Sequence, residues 1–82
     1  MFLEIVTPAK KVYGGEVSAV TFPGVDGSFQ VLNDHAPLVS SLGEGVVIYQ
    51  NKDGKHQVEI SGGVVEVLNN KIVLLADGLV GE

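Results

Sequence analysis

The stretch of sequence that decides the fold is residues 64–76, VVEVLNNKIVLLA. It contains two apolar runs separated by Asn69-Asn70, and asparagine tolerates the positive φ values that a two-residue type I′ turn requires at both positions. The stretch therefore predicts a β-hairpin in which Leu68 faces Lys71. One face of this hairpin then carries side chains that we expect in the core, namely Val65, Val67, Ile72 and Leu74.

The rest of the chain has the same character. Valine supplies 15 of the 82 residues, and 11 glycines and 3 prolines separate short apolar runs. These runs recur about every 8 to 12 residues, a spacing typical of an all-β sandwich or barrel. They are Phe2–Val6, Val17–Phe22, Ser28–Leu32, Val46–Tyr49, His56–Ile60, Val64–Leu68 and Ile72–Ala76. We therefore expect one all-β domain over residues 1–82: a β-sandwich of two mostly antiparallel sheets, with about 8–10 short strands and little or no helix. Residues 37–42 are expected to be strand or loop.

A second hairpin is predicted between residues 46–50 and 55–60. Its connection is Asn51-Lys52-Asp53-Gly54, in which Gly54 is free to adopt the positive φ that ends such loops. In the returning strand, residues alternate between the two faces of the sheet. His56, Val58 and Ile60 are therefore expected to point inward, and Gln57 and Glu59 toward water.

The opposite face of the first hairpin is also apolar. It presents Val64, Leu68, Val73 and Leu75, interrupted by Glu66 and Lys71. A two-layer sandwich needs only one apolar face on each sheet. The surplus is covered either by the chain's own loops or by another protein, and the sequence leaves both alternatives open.

Charge and composition disfavour several classes of partner. The net charge is −5 and the chain has no arginine, so a nucleic-acid partner is not expected. It has no cysteine, which excludes disulfides and thiolate metal sites. The longest uncharged runs have nine residues, whereas a membrane helix needs about 20. The first residues do not resemble a signal peptide, so we expect an intracellular protein.

No pattern in the sequence indicates an enzyme. There is no phosphate-binding glycine motif, and Gly24–Gly27 precedes a strand rather than a helix. The two histidines, His35 and His56, lie on different elements, which makes a zinc site improbable. A triad of Asp34 and His35 with Ser40 or Ser41 is equally weak, because adjacent residues of a strand point to opposite faces. We therefore expect no catalytic residue, metal or cofactor.

Several ordered stretches resemble the epsilon subunit of the F-type ATP synthase. They are LEIVTP at 3–8, GSFQVLNDHAPL at 27–38, SGGVVEV at 61–67 and VLLAD at 73–77. They occur in the family's order and spacing and span nearly the whole chain. The resemblance implies the β-sandwich N-terminal domain of that subunit, at the foot of the rotor.

The resemblance also implies two protein partners and no chemistry of its own. In the family this domain holds the gamma subunit of the central stalk and touches the polar loops of the membrane c-ring. On matching positions, Thr7, His35 and Ser40 would lie toward gamma, and to these we add Val73 and Leu75 of the surplus apolar face. The residues that would lie toward the c-ring are Gly24, Val25, Asp26, Gly27, Ser28 and Phe29. The alpha/beta catalytic hexamer would be an indirect partner, no nucleotide would be bound, and the location in a bacterium would be the cytoplasmic face of the plasma membrane.

Two departures from the family limit what is carried over. Many members have Gly or Asn before the His-Ala-Pro triplet, where this chain has Asp34. The family commonly continues into a helical hairpin that inhibits ATP hydrolysis and, in some members, binds ATP. This sequence ends at Glu82, so those two functions are not expected of it.

Two other classes share these bulk properties. A lipoyl or biotinyl carrier domain is also small, acidic and all-β, and Lys52 would occupy the hairpin tip that carries its modified lysine. The residues around Lys52 do not match the usual carrier surroundings. A sugar-binding or other small-molecule sandwich would need an exposed aromatic platform, and the chain has only two tyrosines and three phenylalanines.

Overall fold

The computed structural model describes residues 1–81, which form nine β-strands and no helix. This confirms the all-β prediction. The strands are β1 (Phe2–Val6), β2 (Lys11–Glu16), β3 (Ala19–Gly24), β4 (Gly27–Leu32), β5 (Leu38–Leu42), β6 (Gly45–Asn51), β7 (Gly54–Ile60), β8 (Gly63–Leu68) and β9 (Lys71–Ala76).

The strands form two groups that are joined at one narrow point. Sheet I has the order β2-β1-β9-β8-β5, and sheet II has the order β4-β3-β6-β7. A single residue pair, Gly24 with Leu42, connects β3 to β5 and makes the hydrogen-bonded path continuous. Beyond β9, Leu79 pairs with Ile60 at the end of β7. All strand pairs are antiparallel except β1 with β9, which is parallel.

The hairpin of β8 and β9 confirms the predicted turn and register. Asn69 and Asn70 have φ values of 51° and 62°, and Leu68 pairs with Lys71. The four side chains expected in the core, Val65, Val67, Ile72 and Leu74, are buried. The turn also holds the segment around Asp34, because the Asn70 side-chain oxygen accepts a hydrogen bond from the Asp34 N–H at 2.9 Å.

The hairpin of β6 and β7 is one residue pair longer than predicted. Asn51 pairs with Gly54, so that only Lys52-Asp53 remains in the loop, and Gly54 has the expected positive φ, 120°. The predicted faces are confirmed: Ile60 is buried and His56 and Val58 are half-buried, whereas Gln57 and Glu59 are exposed.

Strand β2 is not predicted by the sequence pattern. Its residues, KVYGGE, include two glycines and two charged residues, so no apolar run is visible. The strand exists because it pairs with β1 along nearly its whole length. In the same way, residues 38–42, for which the sequence does not distinguish strand from loop, form β5 because they pair with β8.

A single core lies between the two sheets. Its fully buried members come from both, with Leu3, Ile5 and Leu74 on sheet I and Phe22 and Val47 on sheet II. No polar or charged residue among the described ones is buried. The total accessible surface is 4651 Å², close to the ~4,700 Å² that scaling predicts for a compact monomer of this mass. Apolar side chains at the surface are therefore not the result of loose packing.

Candidate docking surfaces

The outer face of sheet I carries rows of apolar side chains. Directly paired residues point to the same side of a sheet, so the register defines these rows. One row runs Ser41, Val64, Leu75, Val6, and the next runs Val39, Glu66, Val73, Glu4. A third row contains Leu68, Lys71 and Phe2. We call the apolar members of these rows the docking face: Phe2, Val6, Val39, Val64, Leu68, Val73 and Leu75.

The docking face is open to solvent. Val39 is 68% exposed, Leu75 54%, Leu68 49% and Val64 41%. The chain's own loops therefore do not cover the surplus apolar surface that the sequence indicated. A contiguous apolar patch on an otherwise close-packed domain marks a protein interface.

Val39 is a member of the docking face that the sequence reasoning missed, although it is the most exposed of them. Because residues 37–42 are compatible with strand or loop, the sequence pattern assigns no face to them. The available signal was the alternation of Leu38, Ser40 and Leu42 with Val39 and Ser41, which places Val39 on the side opposite the buried Leu42.

Two glutamates lie within the docking face, and only one of them is neutralised. The Lys11 Nζ lies 3.6 Å from the Glu4 carboxylate, and its side chain crosses over Gly14, where an added Cβ would come within 2.9 Å of that Nζ. Glu66 is exposed and forms no ion pair within the described residues.

The residues predicted to lie toward gamma are distributed around this face. Val73 and Leu75 belong to it. Thr7 directly follows β1 at the end of the face near Leu75, since Val6 pairs with Leu75. His35 lies near the opposite end, because its neighbour Asp34 is hydrogen-bonded to the turn that joins β8 and β9.

Ser40 does not lie on the docking face. It pairs with the buried Val65, so its side chain points to the inner side of sheet I, where it is half-buried. The structure thus brings Val73 and Leu75 together, puts Thr7 and His35 at the two ends of their face, and separates Ser40 from them.

The predicted c-ring segment is a pinned hairpin tip. Gly24 pairs with Gly27, which has a φ of 124°, so Val25-Asp26 forms the exposed loop between β3 and β4. The Val25 N–H donates to the Ser41 carbonyl at 3.2 Å, which ties the tip to sheet I. Ser28 is exposed as well.

Phe29 differs from the rest of that segment. Its ring lies 5.6 Å from the ring of the buried Phe22, and it packs against the core. It therefore anchors the hairpin, whereas Val25, Asp26 and Ser28 are the accessible positions.

The histidines have structural surroundings. The His35 Nδ1 lies 2.7 Å from the Ala36 carbonyl oxygen rather than against a nucleophile. His56 stacks on Tyr49 at 5.2 Å and its Nε2 lies 3.1 Å from the Asn51 side-chain oxygen. Within the part of the chain that the structure describes, no three His, Cys, Asp or Glu residues cluster as a metal site would require.

One surface groove lies beside an aromatic stack. Tyr13 of β2 packs against Tyr49 of β6 with ring centroids 4.4 Å apart, and the Tyr13 hydroxyl accepts a hydrogen bond from the Asn51 amide at 3.2 Å. Burial raises the pKa of Tyr49, and the neighbouring Tyr13 hydroxyl adds to this effect. Tyr49 therefore stays neutral and serves as a packing residue.

Lys52 is exposed at the tip of the hairpin of β6 and β7, as the carrier-domain alternative requires. The position alone does not separate that alternative from a plain solvated turn.

Comparison with known proteins distinguishes a carrier domain from a plain solvated turn at Lys52. All 82 residues match the family model described as ATP synthase, Delta/Epsilon chain, beta-sandwich domain. The chain is 42% identical over 77 residues to the ATP synthase epsilon chain of Maridesulfovibrio salexigens and 47% identical over 79 residues to that of Campylobacter jejuni subsp. doylei. These matches cover 94% and 95% of this chain, including the Lys52 hairpin, and leave the carrier alternative without support.

The chain spans only part of those relatives, 54% and 61% of their respective lengths. Among solved structures, a chain of the Euglena gracilis mitochondrial ATP synthase (OSCP/F1/c-ring) superposes with a TM-score of 0.87 at 26% identity, covering 95% of this chain and 51% of that one. A chain from the central stalk and c-ring of the Tetrahymena thermophila enzyme superposes with a TM-score of 0.78 at 18% identity, covering 92% and 61%. Within residues 1–81, no helix is long and apolar enough to cross a membrane.

Proposed function

Because the chain belongs to the family of the ATP synthase delta/epsilon chain β-sandwich domain, we propose that it is a non-catalytic subunit of the central stalk of an F-type ATP synthase. In this role it couples rotation of the membrane c-ring to the gamma subunit. It binds no nucleotide or cofactor, acts as one domain over residues 1–82, and meets the alpha/beta hexamer only through gamma.

The observation that carries this proposal is the docking face. A rotor component transmits torque through surfaces that do not slip, which requires a rigid body and a complementary interface. Four large apolar side chains that are each at least 41% exposed stand on one face of a closely packed sheet. We assign this face to gamma, with Val73 near its middle, Leu75 toward the Thr7 end, and Thr7 and His35 at its two ends. Ser40 stays in the proposed gamma interface as a residue of β5, at the edge of sheet I, and not as a member of the docking face.

We assign the tip formed by Val25 and Asp26 to the c-ring. It is exposed, and a backbone hydrogen bond to β5 holds it in place. The tip therefore transmits force without bending away from its partner. Such a location places the subunit at the membrane surface without entering it, and in a bacterium this is the cytoplasmic face of the plasma membrane.

The gamma interface is tested with two matched leucines. Leu75 on the docking face is 54% exposed, and Leu32 on the outer face of sheet II is 52% exposed. We expect Leu75→Asp to weaken binding to the purified gamma subunit of the same ATP synthase by about 30-fold or more, because a carboxylate would be buried among apolar groups. Leu32→Asp should leave the dissociation constant within about twofold.

Calorimetric titration or surface plasmon resonance measures both constants, and thermal unfolding confirms that both variants fold. Equal weakening by the two variants, or none by Leu75→Asp, would place the gamma interface elsewhere.

A further inference from the structure

We propose that Glu66 determines partner specificity on the docking face, and that the partner presents a lysine or arginine side chain opposite it. This inference rests on the proposed function and deepens it. It describes the surface of the partner as apolar with one basic side chain near its centre.

Glu66 occupies a central position on the docking face. It lies on β8, the strand between β5 and β9, and its direct neighbours across the strands are Val39 and Val73. Along its own strand, the next residues on the same face are Val64 and Leu68. Glu66 is therefore surrounded on four sides by docking-face residues rather than placed at their rim.

The charges around Glu66 leave its carboxylate uncompensated. Glu4, in the same row of the sheet, is already neutralised by Lys11. The remaining lysine of this face, Lys71, lies opposite Leu68 and is thus diagonal to Glu66. It forms no ion pair with Glu66 within the described residues.

Binding of a partner changes the solvation of this carboxylate. A partner that covers Val39, Val64, Leu68 and Val73 also removes water from Glu66. An ionised carboxylate that loses its water without a counter-charge strongly opposes binding. A docking face of this composition is consistent with tight binding only if the partner supplies the counter-charge, and a basic group there also rejects partners that lack it.

The test measures the direction in which binding changes on neutralisation. Glu66→Gln keeps the size and hydrogen-bonding capacity of the side chain and removes its charge. The matched control is Glu59→Gln, an exposed glutamate on β7 whose side chain lies on the outer face of sheet II. Dissociation constants and association rates for the purified gamma subunit are measured at two salt concentrations, together with Leu75→Asp.

If a basic side chain faces Glu66, Glu66→Gln leaves that cation buried without a partner. We expect binding to weaken about 30-fold, the salt dependence of the association rate to decrease, and Glu59→Gln to have neither effect. If no basic group is present, Glu66→Gln removes only a desolvation cost, and binding becomes tighter or stays unchanged. Either of those two results overturns the proposal.

The same experiment separates this inference from the proposed function. A loss of gamma binding in Leu75→Asp with no loss in Glu66→Gln refutes the role of Glu66 and leaves the docking face intact. Unchanged binding in both variants refutes the docking face itself.

Discussion

Single residues fix the end of the docking face near His35. Asn69 and Asn70 have left-handed backbone conformations, and the sequence predicted this because asparagine is one of the few residues that tolerate it. The structure adds that Asn70 holds the loop before His35 in place through the Asp34 N–H, and Asp34 itself has a φ of 61°. This contact could not be predicted from the sequence, because residues 34 and 70 meet only through the tertiary fold.

Replacing the two asparagines separately measures these contributions. Asn69→Ala should lower the free energy of unfolding by about 1 kcal/mol, since alanine is strained at positive φ. Asn70→Ala should cost about 2 kcal/mol, because it also removes the hydrogen bond to Asp34. Asn69→Gly is the control and should change stability by less than about 0.5 kcal/mol.

Chemical denaturation followed by circular dichroism gives the three values. A cost for Asn70→Ala that is no larger than that for Asn69→Ala would mean that the link to the His35 loop contributes nothing to stability.

At the scale of strands, the sequence predicted local pairing well and distant pairing poorly. The hairpins of β6–β7 and β8–β9 were predictable because turn residues and alternation are both local signals. Strand β2 was missed because Gly14 and Gly15 interrupt it, and the side on which Ser40 lies could not be assigned, because the register of β5 depends on its pairing with β8. Such registers are decided by partners far away in the sequence.

An aromatic stack links three strands across the side of the sandwich. The Tyr49 ring of β6 packs between the ring of Tyr13 on β2 and the ring of His56 on β7. This side-chain contact therefore connects sheet I to sheet II where no backbone hydrogen-bond ladder joins them. The pKa of Tyr49 is raised in this environment by burial and by Tyr13. Its neutral form is therefore the one that the folded protein favours.

Because of this stack, the free energy of unfolding depends on pH in the alkaline range. Because the pKa of Tyr49 is higher in the folded than in the unfolded chain, its contribution is fully present below pH ~10, the unfolded value. It is lost as the pH rises through the folded pKa, by up to about 1.4 kcal/mol per pH unit. We expect the free energy of unfolding to fall more steeply above pH ~10 in the unmodified protein than in Tyr49→Phe.

Urea titrations across this range provide the comparison. Parallel curves for the two proteins would show that Tyr49 does not carry the effect.

Across the whole molecule, two exposed hairpin tips lie at opposite ends of sheet II. The Val25-Asp26 tip follows β3, whereas the Lys52-Asp53 tip lies beyond the start of β3, because Ala19 pairs with Gln50. Roughly 17 Å of strand separate them at 3.3 Å per residue. If the first tip contacts the c-ring, the second points away from it.

Cross-linking within the assembled ATP synthase tests this orientation. We expect Asp26→Cys, treated with a short sulfhydryl-directed photocross-linker in membranes, to form an adduct with the c subunit. Lys52→Cys, the matched tip, should yield at least about tenfold less of that adduct, because a short linker cannot reach across the strand length. Immunoblotting or mass spectrometry quantifies the product. Comparable adduct yields from the two variants would contradict the assigned orientation.

The fold class, the core of the last hairpin and the surplus apolar surface were all predictable from local patterns in the sequence. The extent of the docking face was not, because Val39 and Val6 join it only through β5 and β1, whose pairings reach across the chain. The neutralisation of Glu4 by Lys11, and hence the isolation of Glu66, likewise depends on the pairing of β1 with β2.

The parallel pairing of β1 with β9 has a consequence for biosynthesis. Phe2 lies beside Lys71 and Val6 beside Leu75. Strand β1 is one of the first segments to leave the ribosome, and it cannot form backbone hydrogen bonds on both sides until residues 71–76 have been synthesised. Until then β1 and β2 form only a marginal two-stranded ribbon, and long-range pairing of this kind is slow to form. Nascent chains are therefore expected to stay open to protease until translation has passed residue 76, and to become resistant in a single late step.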